Sequence, residues 1–486
     1  MNSLFPSSID FFRVAPVIIL TIAGTLLMVL EPLTGDGKGE KPMLRWLAMA
    51  GLAAAMLAAI LAYGDPGPAF NGMLLIDGFG TFFSVLVVGT GLLTVFCAQD
   101  YLVRERHENG EFYALLLFSI AGQCIMVTAN ELIILFIGLE ISSISSYILA
   151  GFLRDDRRSN ESALKYFLLG SFATGFLLYG VAWIYGITGS TNLAVIQSTL
   201  AAGPVNPRLL ALSAALMFVG FAFKVSAAPF QIWAPDVYQG APAPVSAFLS
   251  AGPKAAAFAI FLRVFTTAFG SMAEKWEPVF WGSALLTMIA GNFAALRQNN
   301  IKRLLAYSSI AHAGYVMVAV TSHSQVGTAA AMFYLASYAF VNVGAFAVVS
   351  YVAAKGEKYL GVEDFAGLAA RQPLAAFVMT IFFTSLIGVP LTAGFFGKFY
   401  IFKAALDAGM VWLTVLGLLN SAVAAYYYLR VIVVMYTHEP SQAVRELEPA
   451  SSGLQAGWMV AAAATLILGI FPSLLLEFAS GAARLR

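Results

Sequence analysis

The chain has 486 residues, of which 60% are hydrophobic and 11% are charged, and its mean hydropathy is +0.81. This composition excludes a soluble globular protein and indicates a polytopic membrane protein. The formal net charge of +1 excludes the strongly basic surface of a nucleic-acid-binding protein, so no nucleic-acid partner is expected. Two cysteines, Cys97 and Cys124, are too few for the thiolate set of an iron–sulfur cluster, and each is best interpreted as a buried thiol.

Apolar runs of about 20 residues predict fourteen membrane-spanning helices, and hence an all-α polytopic fold. The spans are expected near residues 11–30, 44–63, 74–98, 112–129, 131–152, 162–187, 207–228, 243–268, 278–296, 303–321, 326–354, 373–390, 409–436 and 455–478. The first is predicted to be a retained span, because no small-residue cleavage motif follows it as in a signal peptide. No separate water-soluble domain is expected, and the connection 188–206 has room for a short surface helix.

Two of these spans are predicted to be interrupted by proline. The segment FAFKVSAAPFQIWAPDVYQGAPAPV (221–245) places Lys224 five residues before Pro229, at a depth where water is scarce. Proline removes a backbone N–H and crowds the carbonyl of an earlier residue, so a broken helix survives in a membrane only inside protein or beside a wet cavity. Five spans later, the segment FFTSLIGVPLTAGFFGKFYIF contains Pro390, which is followed by Lys398.

The matching positions of the two interruptions predict an internal repeat. Interrupted helices in corresponding positions are the best sequence indication of inverted repeats with a transport site between them. We therefore predict two repeats of five spans over residues 112–268 and 269–437, preceded by three spans over 1–111 and followed by one span over 438–486. The odd number of spans in each repeat makes their topologies inverted.

The placement of lysine and arginine predicts that both termini lie outside the cytoplasm, because loops rich in these residues face the cytoplasm. Sixteen basic residues fall on the predicted cytoplasmic side: Lys38, Lys41, Arg45, Arg104, Arg106, Arg154, Arg157, Arg158, Arg297, Lys302, Arg303, Lys355, Lys358, Arg371, Arg430 and Arg445. Seven fall on the other side: Arg13, Arg208, Arg263, Lys275, Lys403, Arg484 and Arg486. Four lysines lie within or at the edges of spans, where orientation does not account for them: Lys165, Lys224, Lys254 and Lys398.

Glu140 lies in the middle of the fifth predicted span, at the start of a serine-rich stretch. A carboxylate there needs a cationic partner, because burying a lone charge is costly, and Lys224 is the expected partner. The alternative is a structural ion pair that only joins two helices. Glu131, nine residues earlier, is expected near the end of the span on the opposite helical face, as an interfacial group with a supporting role.

Lys254 follows Gly252 and Pro253 in the segment VSAFLSAGPKAAAFAIF. The proline is predicted to disturb the helix, and the small neighbours leave room for water around the ammonium group. A lysine inside a membrane span is a candidate proton carrier. The alternative is a lysine that extends to the interface, which agrees less well with its position near the middle of the span.

Three further basic residues complete the candidate set. Lys398 follows the second interruption, and its alternative is an interfacial lysine near the outer edge. His312, in LLAYSSIAHAGYVMV, can pass protons between lysines, although a hydrogen-bonded core histidine is the ordinary explanation. Lys165, in ESALKYF, lies near the cytoplasmic start of the sixth span, where it either modulates the charge pair or extends to the interface. The sequence contains no metal-ligand spacing, nucleotide-binding loop or nucleophile triad.

These segments carry a resemblance to a known family. ESALKYF, the run FK…PF.IWAPDVYQGAPAPVSAFLS, LLAYSSIAHAGY and GVPLTAGFFGKFYIF are similar to the antiporter-like membrane subunits of respiratory complex I, the NADH–quinone oxidoreductase, and most of all to its bacterial subunit N family. The similarity extends over nearly the whole chain. Lysine at position 398, where one sibling subunit is expected to have glutamate, favours the subunit N family, as does the expected lack of a long lateral helix after the last span.

The resemblance implies a proton-translocating membrane-arm subunit, coupled to electron transfer from NADH to quinone in other subunits. Glu140 and Lys224 would form the charge pair of the entry half-channel. Lys254 would be the central proton carrier, His312 a connector and Lys398 the exit residue toward the periplasm. A change of field along the membrane arm would open or close the charge pair and push the proton of Lys254 toward Lys398.

The same resemblance implies the partners and the location. No cofactor is expected in this chain, and the flavin, iron–sulfur clusters and quinone belong to partner subunits. The expected partners are other membrane-arm subunits, above all the adjacent antiporter-like subunit and small membrane subunits, together with the lipid of a bacterial inner membrane. Two alternatives stay open: a subunit of a multi-subunit cation/proton antiporter, and a purely structural membrane-arm subunit.

Overall fold

The computed structural model describes residues 6–34, 40–203 and 205–484. Lys38 and Arg486, two of the residues used to predict the orientation, lie outside the described residues. The first half contains helices α1 (Ser8–Arg13), α2 (Ala15–Leu30), α3 (Pro42–Ala62), α4 (Gly78–Glu105), α5 (Gly110–Thr128), α6 (Leu132–Ala150), α7 (Arg157–Thr188), α8 (Leu193–Ala202), α9 (Pro207–Val225), α10 (Trp233–Gly240) and α11 (Ala243–Arg263). The second half contains α12 (Ala273–Leu296), α13 (Ile301–Thr321), α14 (Gln325–Val352), α15 (Leu368–Arg371), α16 (Pro373–Ile387), α17 (Ala393–Asp407), α18 (Val411–Thr437), α19 (Gln442–Arg445), α20 (Ser452–Ile470) and α21 (Ser473–Ala482).

Thirteen helical segments within the described ranges are long and apolar enough to cross a membrane, which confirms the polytopic helical fold. The sequence predicts fourteen, and the difference lies in the twelfth span. That span consists of two 15-residue helices, α16 and α17, each too short to cross a bilayer alone. A small antiparallel hairpin of β1 (Gly67–Ala69) and β2 (Leu74–Ile76), which the all-α prediction does not include, connects α3 to α4.

The first interruption lies between α9 and α10. Helix α9 ends at Val225, and Ser226 adopts a left-handed conformation with φ of 62°. The N–H of Ala227 then donates to the carbonyl of Ala222 at 2.8 Å, which closes the helix end. The helix therefore ends before Pro229 is reached, and Lys224 lies in its last turn.

The second interruption lies between α16 and α17. Helix α16 ends at Ile387, and Gly388 adopts a φ of 95°, a left-handed conformation that glycine reaches without a steric penalty. Pro390 follows in the connecting turn, and α17 begins at Ala393. The last carbonyls of α16 therefore have no backbone donors within their own helix.

Pro253 does not interrupt its helix. Helix α11 runs from Ala243 to Arg263 with Pro253 inside it, so the predicted disturbance was wrong. A proline leaves the carbonyl of the residue four positions earlier without its backbone donor. That carbonyl belongs to Leu249, and the hydroxyl of Tyr238 donates to it at 3.3 Å. A side-chain donor thus replaces the missing backbone donor, which is one way in which membrane helices tolerate proline.

Two short backbone ladders occur at matching places in the predicted repeats. At the start of α6, the N–H of Leu132 donates to Thr191 and the N–H of Leu193 donates to Asn130, at 2.9 and 3.0 Å. At the start of α13, the corresponding bonds join Ile301 to Leu360 and Val362 to Asn299, both at 2.8 Å. Glu131 pairs with Asn192 at the centre of the first ladder, and Asn300 pairs with Gly361 at the centre of the second. The number of residues between Glu131 and Asn300 equals the number between Asn192 and Gly361. Each ladder ties the second span of a predicted repeat to the segment after its third span.

The candidate lysine of α11 and the candidate histidine of α13 lie at the centre of the bundle. Almost the whole apolar stretch of α11, α13 and α14 is enclosed by other helices. The outer helices α2, α18 and α20 instead expose many large apolar side chains, as expected of a surface that faces lipid. Polar groups on the central helices are therefore shielded from lipid by the surrounding spans.

A buried ion pair fixes the adjacent ends of α11 and α13. Nζ of Lys302 lies 2.6 Å from Oε2 of Glu357, and both side chains are almost fully buried. The other carboxylate oxygen of Glu357 accepts the N–H of Ala243 at 2.7 Å, at the first turn of α11. Lys302 also donates to the carbonyl of Ala241 at 2.5 Å. A carboxylate at a helix N-terminus satisfies a free backbone donor, so this pair holds the starts of two site-bearing helices together.

Candidate functional site

The Lys224 ammonium group lies in the last turn of α9, where it faces α6 and α7. Nζ donates a hydrogen bond of 2.6 Å to Oγ of Ser143. It also lies 5.4 Å from the ring centre of Tyr147 and 5.3 Å from that of Tyr166. Both distances are within the range of a cation–π interaction, so ring faces and one hydroxyl group surround the charge.

Glu140 lies one helical turn from Ser143 on α6, but it is not in contact with Lys224. Among the residues that the structure describes, the two side chains form no ion pair within 4.0 Å. Oε1 of Glu140 is buried and has no hydrogen-bond partner in the described part of the chain. The two members of the expected charge pair are therefore apart in this structure, in which Ser143 and the two tyrosine rings hold the ammonium group.

Lys254 lies in the middle of α11 with only 3% of its surface exposed. Nζ donates to the carbonyl oxygen of Ser309 at 2.9 Å and also to its hydroxyl group. No carboxylate lies within ion-pairing distance in the described ranges. Because the side chain is enclosed, the alternative of a lysine that extends to the interface is not observed. Lys254 is a buried ammonium group held by neutral oxygens of α13.

His312 lies one turn after Ser309 on α13, and both of its ring nitrogens contact tyrosine hydroxyl groups. Nδ1 is 2.5 Å from the hydroxyl of Tyr334, and Nε2 is 3.2 Å from that of Tyr428. The Tyr428 hydroxyl also contacts Oγ of Ser308. Neither tyrosine is among the site residues predicted from the sequence. The available signal was their position inside apolar helices, because a buried tyrosine usually finds a hydrogen-bond partner for its hydroxyl group.

Lys398 lies in α17, and its ammonium group is held by the end of α16. Nζ donates to the carbonyls of Leu386 and Ile387, both at 2.9 Å, and to Oγ of Ser421 at 2.8 Å. These carbonyls are free because α16 ends at Ile387, and the C-terminus of a helix favours positive charge. Nζ also lies 4.7 Å from the ring centre of Tyr315. The side chain is 6% exposed and lines a cavity of about 500 Å³.

Helix α13 brings three of the predicted residues together. Ser309, His312 and Tyr315 are spaced by three residues and so lie on one side of the helix. Ser309 binds Lys254. The ring of Tyr315 lies beside Lys398, and its centre is 5.5 Å from the centre of the His312 ring. Lys254, His312 and Lys398 are therefore arranged along one side of α13, and we call this arrangement the α13 run. Lys224, on α9, lies in a separate cluster with side chains of α6 and α7.

The two supporting residues lie toward the starts of α6 and α7. Glu131 directly precedes α6, and its Oε1 accepts a 2.7 Å hydrogen bond from Thr191 in the first backbone ladder. Lys165, whose side chain is 41% exposed, binds Asp236 at 2.8 Å. Neither residue contacts Lys224, although Tyr166, next to Lys165, does.

Asp236 connects Lys165 to α13 and is not among the site residues predicted from the sequence. Its carboxylate lies 2.8 Å from Nζ of Lys165 and 2.7 Å from Nη1 of Arg303. It belongs to α10, outside the membrane-spanning helices. Burial alone would raise the pKa of Asp236, but the hydrogen bonds from Lys165 and Arg303 outweigh that effect, and the pKa lies below its usual value. The three charges line a cleft of about 250 Å³.

Metal ligation is not indicated in the parts of the chain that the structure describes. No group of three histidine, cysteine, aspartate or glutamate side chains is arranged to hold an ion there. Cys97 and Cys124 are both buried and unpaired within these ranges. The arrangement instead offers hydroxyl groups within hydrogen-bonding distance of ammonium groups and of an imidazole, and such groups can take part in proton transfer.

Comparison with known families decides the classification. Residues 129–424 match the NADH:quinone oxidoreductase/Mrp antiporter transmembrane family. The chain belongs to this family. The matched region includes every candidate site residue from Glu131 to Lys398.

Family members resemble the chain over nearly its whole length. A protein of Solibacter usitatus named NADH-quinone oxidoreductase subunit N 1 is 63% identical over 474 residues, which cover 98% of this chain and 97% of that protein. A chain of respiratory complex I from Thermus thermophilus, solved with bound aureothin, is 35% identical with a TM-score of 0.81, covering 96% of this chain and 99% of that chain. A chain of the Mrp complex from Dietzia sp. has a TM-score of 0.83 at 21% identity, covering 97% of each chain, and so shares the fold.

Proposed function

We propose that this chain is a proton-translocating membrane-arm subunit of an NADH:quinone oxidoreductase and has no redox centre of its own. The α13 run carries the proposal. Lys254 and Lys398 are buried, and each ammonium group is bound by neutral oxygens rather than by a carboxylate in the described ranges. A permanent charge without a counter-ion is costly inside a membrane, so such lysines are suited to gain and lose a proton. The relatives named subunit N support the same role.

In this proposal the protons enter near Glu140 and Lys224 and leave near Lys398. Lys254 is the central carrier, and His312 connects it to Lys398 through the groups along α13. Lys165 and Glu131 have supporting roles toward the starts of α7 and α6. The separation of Glu140 from Lys224 is consistent with the open state of a charge pair whose opening and closing change the field at Lys254.

We further propose that residues 112–268 and 269–437 are inverted repeats, flanked by an N-terminal unit (1–111) and a C-terminal span (438–486). The matching ladders around Glu131 and Asn300 support this division. The chain would lie in a bacterial inner membrane with both termini in the periplasm. Its neighbours would be the adjacent antiporter-like subunit, small membrane subunits and lipid, while partner subunits hold the flavin, iron–sulfur clusters and quinone.

A subunit of a multi-subunit cation/proton antiporter is the second candidate, because the chain shares its fold with a chain of an Mrp complex. Such a protein would exchange ions without any redox partner. A strain lacking the chain would then become sensitive to sodium while its membranes still oxidised NADH normally. The same pair of measurements separates the two candidates.

The test uses membrane vesicles from a strain that lacks the chain, restored with wild type, Lys224→Ala or Lys403→Ala. Lys403 is the control, because it forms an exposed pair with Asp407 on the same helix as Lys398. Assembly is confirmed on a native gel, and NADH-to-quinone electron transfer and the proton gradient are then recorded together. We expect both signals to fall in the assembled Lys224→Ala complex and to remain normal in Lys403→Ala. Electron transfer that never depends on the chain would contradict the proposal.

A further inference from the structure

The surroundings of Lys224 are aromatic rather than acidic. Its only hydrogen-bond partner in the described part of the chain is Ser143, at 2.6 Å. The faces of Tyr147 and Tyr166 lie 5.4 and 5.3 Å away, and both tyrosines are buried, at 6% and 2% exposure. Ring faces carry a negative potential that attracts cations, and the attraction is strongest where water is excluded. These two rings therefore supply the negative potential that a carboxylate supplies in an ion pair.

The two rings are held rigidly in place. They pack edge to face, with ring centres 4.7 Å apart and an interplanar angle of 86°. Trp233 stacks on Tyr166, with ring centres 4.5 Å apart and an interplanar angle of 3°. The Trp233 indole N–H donates to the carbonyl of Phe223, the residue before Lys224, at 2.9 Å. The stack is thus anchored to the helix that carries the lysine, and we call Tyr147, Tyr166 and Trp233 the aromatic cage.

The geometry gives the ammonium group two places to rest. Ser143, which binds it in this structure, and Glu140 lie one helical turn apart on α6, and Oε1 of Glu140 has no partner in the described ranges. A lysine side chain is long and has several rotatable bonds, so a change of rotamer can move its charge over such a distance. The observed resting place is the aromatic cage with Ser143, and the one that the proposed charge pair requires is Glu140.

We propose that Tyr147 and Tyr166 are positioning residues that hold the Lys224 ammonium group through their ring faces whenever it is separated from Glu140. Trp233 supports Tyr166 from its other side. The aromatic cage thereby determines how readily the charge pair opens. Rings that only filled space in the core would not have this effect. This inference rests on the proposed function, in which opening of the pair is a step of proton transfer.

The test varies the electrostatic potential of one ring at nearly constant size. Phenylalanine with none to three ring fluorines is incorporated at position 166 by nonsense suppression, alongside Tyr166→Leu. Each fluorine weakens the negative potential of the ring face. Phe221 receives the same series as the control. It is a fully buried residue of α9, the helix of Lys224, that stacks on Phe261 and faces no cation among the described residues. The proton gradient and electron transfer are measured in assembled complexes.

Tyr166→Phe keeps the ring face and is the reference for the fluorinated rings, since no hydrogen bond of the Tyr166 hydroxyl group to Lys224 occurs among the described residues. Pumping should then fall stepwise with each fluorine, to about tenfold lower for the trifluorinated ring. The Phe221 series should remain level. The inference would be overturned if fluorination at position 166 left pumping unchanged, or if it lowered pumping equally at positions 166 and 221. If Tyr166→Leu fails to assemble, the fluorinated series still decides the question.

The two proposals fail separately. If Lys224→Ala pumps normally in an assembled complex, the proposed function itself is wrong, whatever the fluorine series gives. If Lys224→Ala abolishes pumping and the fluorine series at position 166 is level, the proposed function stands and only the role of the aromatic cage is refuted.

Discussion

Lys224 and Lys398 lie beside the two interrupted helices, yet their ammonium groups are held in different ways. Lys224 precedes its interruption and is held by one hydroxyl group and two ring faces. Lys398 follows its interruption and donates to two backbone carbonyls and one hydroxyl group. All three ammonium hydrogens of Lys398 thus have fixed acceptors, whereas ring faces attract a cation with less directional preference. The first site is therefore suited to movement of the charge, and the second to holding the charge in one place.

The largest expected effect comes from the junction of the second interruption. A Cβ atom at Gly394 would lie 1.9 Å from the carbonyl oxygen of Ser385, on the backbone of α16. Gly394→Ala must therefore separate α16 from α17 and displace Lys398. We expect loss of assembled complex on a native gel, because this much overpacking typically costs about 1–3 kcal/mol or more. Gly175→Ala, where a Cβ meets nothing within 4 Å, is the control and should assemble normally.

Replacing each lysine with methionine distinguishes the stability that is lost with its hydrogen bonds from the effect of losing its charge. Lys398→Met leaves the carbonyls of Leu386 and Ile387 without donors, and each unsatisfied buried group costs about 1–3 kcal/mol. Lys224→Met places a thioether between aromatic rings, which is a favourable contact. Thermal denaturation of purified complexes should therefore show a clear loss of stability for Lys398→Met and little change for Lys224→Met. Equal losses would contradict the difference between the two sites, even though both variants should fail to pump.

Removal of one hydroxyl group should affect the first site more than the second. Ser143 is the only hydrogen-bond partner of Lys224 in the described ranges, while Ser421 is one of three partners of Lys398. A hydrogen bond to a charged group contributes about 1.5–3 kcal/mol. We expect Ser143→Ala to reduce the proton gradient several times more than Ser421→Ala in vesicles with equal amounts of assembled complex. The reverse order would refute the description of Lys398 as the more firmly held lysine.

The smallest effect is expected at Asp236, which lies at the centre of the cleft beside the Lys224 site. Because the pKa of Asp236 is lowered, its ion pairs contribute stability above the usual pKa of 3.8, and that stability is lost only as the pH falls through the lowered value. Asp236→Asn should therefore cost less than about 1 kcal/mol, since the group is partly exposed. The difference in melting temperature between Asp236→Asn and wild type should stay constant between about pH 5.5 and 8.5. A difference that disappears within this interval would contradict the assigned shift.

The comparison also separates what the sequence predicts from what it does not. Lysines and prolines inside apolar runs are conspicuous, so Lys224, Lys254, Lys398 and the two interruptions were identified from local sequence alone. The groups that bind these lysines come from helices far away in sequence, such as Tyr166 on α7 for Lys224. No local pattern reports which side chains meet across a helix bundle.

Two specific expectations differ from what the structure contains, for the same physical reason. The sequence predicts a Glu140–Lys224 charge pair because a buried carboxylate needs a cationic partner, but in this structure the two side chains are apart, and Ser143 and aromatic rings hold the lysine. It also predicts a disturbed helix at Pro253, but the Tyr238 hydroxyl group replaces the missing donor. In both cases a neutral tertiary contact satisfied a group that local reasoning had left unsatisfied.

The most direct test of the α13 run is the number of protons moved per NADH oxidised by purified complex in sealed proteoliposomes. The measurement compares wild type, Lys254→Ala and the exposed control Lys403→Ala at matched rates of electron transfer. If the run from Lys254 through His312 to Lys398 carries protons, the ratio falls in Lys254→Ala and stays at the wild-type value in Lys403→Ala. An unchanged ratio in an assembled Lys254→Ala complex would show that protons do not pass through this chain by way of α13.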